Sequence, residues 1–67
     1  MITEIGIVAG EIWQFLDGKK TVTTDELTKE LKCPRELVMM SLGWLAREGH
    51  ITLWISGSDY SAVLNRK

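Results

Sequence analysis

Apolar residues recur along this chain with two different periods. Ile5, Ala9, Ile12 and Leu16 follow the three-and-four spacing of an amphipathic helix, with Val8 and Trp13 at its flanks. They predict a helix over 4–17, with Thr3 as its N-cap. Asp17-Gly18 ends it, and Lys19 and Lys20 follow near the negative end of the helix dipole. Thr21-Val22-Thr23 reads as a very short strand beside a later hairpin. Thr23 and Glu26 have the spacing of a capping box and predict a second helix over 24–32, whose large apolar residues are Leu27 and Leu31. Pro34 suits the first position of a third helix over 34–48. Its inner stripe is Val38, Ser41, Leu42 and Leu45, bordered by Leu37 and Trp44, and Gly49 closes it.

From His50 the period changes to two. HITLWI and YSAVL alternate around Gly57-Ser58, a two-residue turn whose leading glycine favours type II′ geometry. That turn sets the register: Ile55 opposite Tyr60, Leu53 opposite Ala62, Ile51 opposite Leu64, all six on one face. Thr52, Trp54, Ser61 and Val63 fall on the other. The order helix, small strand, helix, helix, hairpin predicts an α+β winged helix-turn-helix, three helices plus a small β-hairpin wing, as one domain over 1–67.

The segments IGIVAGEIWQFL (Ile5–Leu16) and LGWLAREGHI (Leu42–Ile51) sharpen that expectation. Together they resemble a family of small stand-alone winged helix-turn-helix proteins of bacteria and archaea whose function is unknown. The resemblance covers nearly the whole chain. It implies the fold and a tie to transcription, and it carries no functional residue over.

Composition narrows the choices. The chain has 67 residues, 45% of them apolar, with three Trp, a rich core for a size near the lower limit of independent folding. So small a core favours association with a second copy or a partner, and a homodimer is expected. Eight basic residues against nine acidic ones give a net charge of −1, unlike the basic stripe of a strong nucleic-acid binder. One cysteine excludes an internal disulfide, and no apolar run is long enough for a membrane span. A soluble, cytoplasmic protein without membrane contact is expected.

The outward face of the third helix decides most of the functional reading. A rotation of 100° per residue from its inner stripe leaves Glu36, Met39, Met40, Gly43 and Arg47 facing out. A reader of the DNA major groove needs polar or basic side chains there. Three readings stand side by side: methionines left exposed without consequence, a protein contact, and DNA reading. On the DNA reading, weak and salt-dependent duplex binding would use Lys32, Arg35 and Arg47 for phosphates, with Met39 and Gly43 near base edges. On the protein-contact reading, Met39, Met40, Trp44 and Trp54 meet a partner or a second copy. The wing tip, Ser56 to Asp59, has no base and carries an acid, so it suits closing the core better than entering a minor groove. Trp54 is expected exposed, or covered by the first helix or a second copy. Gly6 and Gly10 are expected to admit a close neighbour within the monomer, such as Trp13 or Trp44, with a helix–helix dimer contact beside Ile7 as the alternative. Cys33 reads as a turn residue and His50 as an exposed strand start. No phosphate loop, metal-ligand spacing or nucleophile–base set is visible, so neither catalysis nor a cofactor is expected. The DNA-binding regulator type follows from fold and resemblance, and a winged-helix interaction module is the alternative.

Overall fold

The computed structural model describes residues 2–18 and 21–65. The elements run α1 (Ile2–Leu16), β1 (Val22–Thr23), α2 (Thr24–Leu31), α3 (Arg35–Arg47), β2 (Ile51–Ser56) and β3 (Asp59–Leu64). Three helices pack with a three-stranded antiparallel sheet of order β1-β3-β2. Lys19 and Lys20 lie outside the described residues.

Helix α1 begins upstream of Thr3, which is therefore in the first turn and not an N-cap. The Ser41 hydroxyl of α3 donates to the Ile5 carbonyl at 3.3 Å and ties the first half of α1 to α3. At the other end Gly18 takes φ +81°. Helix α2 starts as its capping box dictates. The Thr23 hydroxyl accepts from the Glu26 N–H at 3.1 Å, and a Glu26 carboxylate oxygen accepts from the Thr23 N–H at 2.9 Å. It ends at Lys32, the one non-glycine residue at positive φ among the described residues (φ 55°). Pro34 stands one step outside α3, as its N-cap: its extended backbone (ψ 141°) leaves the carbonyl to accept from the Leu37 and Val38 amides.

The passage from α3 to β2 occupies almost no chain. Gly49, at φ +84°, donates to the Ala46 carbonyl, and the His50 N–H donates to the Leu45 carbonyl, the two bonds of a Schellman stop. The hairpin has the expected register, from Ile51 opposite Leu64 to Ser56 opposite Asp59. Gly57 has φ +65° at the first turn position while Ser58 is not at positive φ, as a type II′ turn requires. On the far side of β3, Val22 pairs with Ala62 and Thr23 with Ser61.

One core holds the elements together. Val8, Ala9, Ile12 and Leu16 of α1 meet Val22, Leu27, Val38, Leu42, Leu45, Ile51 and Ala62. The predicted stripe of α3 is wholly buried, Ser41 included, whose hydroxyl also donates to the Leu37 carbonyl. Ile5 is only half-buried, while Val8, expected at the flank, joins the core. Along the hairpin row, Ile51 and Ala62 are buried, but Ile55 lies beyond the reach of the helices, exposed near the wing tip.

Candidate functional site

Two surfaces bear on function. The first gathers the N-terminal ends of α2 and α3 and the wing turn, where a winged helix meets nucleic acid. Here the Asp59 carboxylate accepts from the Asp25 N–H of α2 at 3.0 Å and from the Arg35 guanidinium of α3, also at 3.0 Å. Asp59 thus satisfies an orphan amide of the α2 first turn and forms an ion pair with a half-exposed Arg35. Burial pushes its pKa up, yet hydrogen bonds from the Tyr60 and Asp25 amides and from Arg35, with the Arg35 charge, outweigh that and hold the carboxyl below its ordinary value. Beneath this clamp, the buried Thr24 hydroxyl lies 3.3 Å from the Tyr60 carbonyl and 3.6 Å from the Met39 sulfur.

These contacts place two of the expected site residues. Arg35 is engaged with the wing. Met39 is half-buried against the core and α2, because its place at the edge of the α3 stripe faces Thr24. Lys32 is exposed in the turn between α2 and α3, and Gly43 and Arg47 are exposed on the outer side of α3. Lys32, Arg35 and Arg47 therefore sit apart along α3 and its preceding turn, with Arg35, the one nearest the wing, paired with Asp59, while Lys29 of α2 is paired with Asp25.

The second surface is apolar. Met40 (41% exposed) and Trp44 (48%) lie along the edge of α3 that carries Ser41, and the Ser41–Ile5 bond places that edge beside α1. Trp13 of α1 is also exposed (43%). Its ring rests on His50, centroids 4.3 Å apart and planes 31° from parallel, so His50 is half-covered where an exposed residue was expected. Gly6 and Gly10 lie on the Trp13 side of α1, both exposed, and a Cβ on either would meet nothing within 4 Å. The expected close neighbour of these glycines is therefore absent. Packing in this chain does not require them. Trp54 (41% exposed) lies elsewhere, on the outer face of the wing.

Cys33 is half-buried and donates from Sγ to the Leu31 carbonyl, a turn contact. Among the described residues no group of three or more His, Cys, Asp or Glu is placed to hold a metal ion. None of the helices is long and apolar enough to cross a membrane. Sequence reasoning missed Asp59 as a structural clamp, since its partners Arg35 and Asp25 lie far away along the chain. A wing-turn acid and a base at the start of α3 were the only available signals.

The fold, with its three helices and antiparallel wing, defines a winged helix-turn-helix protein. The chain matches the family described as Winged helix-turn-helix domain (DUF2582) over residues 1–64, and it belongs to that family. No curated protein and no solved structure shows a significant match.

Proposed function

We propose that this winged-helix domain is a non-catalytic protein-interaction module that docks a protein partner on the α1–α3 seam, in place of reading DNA with α3. One observation carries the reading: the outer edge of α3 offers Met40, Gly43 and Trp44 to solvent, while the base at its start, Arg35, is bound to Asp59. Base edges in a major groove are met by hydrogen-bonding side chains, and this edge offers almost none. Exposed tryptophans and a flexible methionine are the side chains that anchor protein contacts. The acidic balance of the chain points the same way, because phosphate contact needs clustered cations.

Two measurements test it. Fluorescence anisotropy with random duplex DNA at low salt is expected to stay flat to tens of micromolar protein. Binding that vanishes as salt rises would restore the DNA-reading regulator, with Lys32 and Arg47 as its phosphate contacts. A photo-reactive residue at position 44 is expected to cross-link a discrete protein in the native cell, whereas one at the exposed Glu30 of α2 is not. Equal labelling from both positions counts against the seam.

A further inference from the structure

Along α3, Glu36, Met40, Trp44 and Glu48 follow at intervals of four residues, and all four are exposed. Residues four apart lie one above the other on a helix, so these form one stripe. At 1.5 Å per residue it is about 18 Å from the first acid to the last. Glu48 stays on the helical path, because its N–H donates to the Trp44 carbonyl at 3.0 Å. An apolar pair is thus bracketed at both ends by carboxylates, and neither Glu36 nor Glu48 is paired with a base among the described residues. Arg35 is held by Asp59, and Arg47 is displaced about 100° round the helix from Glu48, toward Gly43. Helix α1, tied to α3 through Ser41, carries Glu4 and Glu11 and no basic residue. Gly43 is exposed in mid-helix, three residues on from Met40, where glycine is a poor helix former and a Cβ would meet nothing within 4 Å. The packing of this chain does not call for glycine there, and the bare backbone lets another element come close.

Resting on the reading of the seam as a docking surface, we propose that its occupant is a basic amphipathic helix of a partner protein. Its bulky apolar side chains cover Met40 and Trp44, and a lysine or arginine near each end meets Glu36 and Glu48. The backbone groups of α3 within the stripe are spent on the helix itself, so the stripe cannot accept an added strand. A ligand here needs a backbone satisfied within itself, which a helix has, and it is read by its side chains alone. A helix of about 13 residues runs the length of the stripe. The bracketing carboxylates draw in a basic segment and turn away nucleic acid and anionic lipid. A second copy of this chain is a poor occupant of the same stripe. Laid parallel or antiparallel about a two-fold axis, it sets carboxylate against carboxylate at both ends.

A phage-displayed library of random peptides of about 18 residues, long enough to cover the stripe as a helix, tests the occupant by selection on the immobilised full chain. Binders are expected to carry leucine, isoleucine or an aromatic at helical spacing, with lysine or arginine on both flanks. A synthetic peptide of the selected sequence is expected to bind about tenfold or more weakly to Glu36→Lys combined with Glu48→Lys, and likewise to Trp44→Glu. Gly43→Ala separates stability from docking. It is expected to raise the melting temperature, yet weaken the same peptide about threefold or more by holding it off the backbone. Amide spectra report whether each variant is folded, and Met40→Ala replaces Trp44→Glu where that one is not. Binders with acidic or uncharged flanks overturn the inference, as does affinity indifferent to the double lysine variant. If Trp44→Glu still abolishes binding in that case, the seam itself stands. Binders that ignore Trp44→Glu as well overturn both. A selection that yields no binder overturns the inference, and the cross-link from position 44 then decides the seam by itself.

Discussion

The clamp at the starts of α2 and α3 and the seam between α1 and α3 use the same helix, α3, in opposite ways. At the clamp the polar groups are satisfied internally. Asp59 bonds the Asp25 amide and Arg35, and Thr23 and Glu26 cap each other. On the outer faces of α1 and α3 it is apolar side chains that meet solvent, with Trp13, Met40 and Trp44 each more than two-fifths exposed. A winged helix that reads DNA has the reverse distribution, with free donors at the helix starts and apolar groups withdrawn. On the proposed function, fold and function part company on a few side chains, while the backbone stays that of the class.

The contrast can be broken or sharpened by substitution. The largest effect is expected on the inner side of α3. Leu42→Ala should cost about 2–5 kcal/mol by chemical denaturation, whereas Trp44→Ala, on the outer edge, should cost about 1 kcal/mol. Equal costs would mean that the seam is part of the core.

Next comes the clamp. Asp59→Ala should destabilise by about 1 kcal/mol, mainly through the orphaned Asp25 amide. Because the folded carboxyl titrates below its ordinary value, the Asp59 contribution is complete above the unfolded pKa of about 3.9 and is lost as pH falls through the folded pKa. The acid limb of a stability–pH profile should therefore be shallower in Asp59→Asn than in the unaltered chain. A duplex titration with the same variant should stay flat. If freeing Arg35 creates salt-sensitive binding, the clamp was masking a DNA surface.

Smaller effects of opposite sign are expected at two backbone positions. Gly10→Ala should stabilise by about 0.5–1 kcal/mol, since a Cβ there meets nothing and alanine is the better helix former. Lys32→Gly should stabilise by about 1 kcal/mol by relieving a left-handed backbone. Thermal melts with denaturant controls resolve both.

What was legible in the sequence has a local cause. The α3 stripe, the Thr23–Glu26 box and the hairpin register depend on residues at most a few positions apart, or on a turn that leaves one pairing open. The chain also showed that α3 is poor in bases, the feature on which the proposed function rests. The missed features depend on what lies opposite in space. Met39 withdraws because α2 crosses its edge of α3, and His50 is covered because Trp13 arrives from α1. Arg35 is neutralised by an acid from the hairpin turn. The open space around Gly6 and Gly10 likewise depends on which elements come near α1, which their neighbours in the chain do not show.

The Schellman stop at Gly49 has a mechanical consequence. With the Gly49 and His50 amides both anchored to the last turn of α3, and the Asn65 side chain donating to the Gly49 carbonyl, the joint between helix and wing has no slack. The direction in which the hairpin leaves the helix is thus set at one residue, and a side chain at position 49 would have to adopt a φ of +84° that only glycine takes without strain.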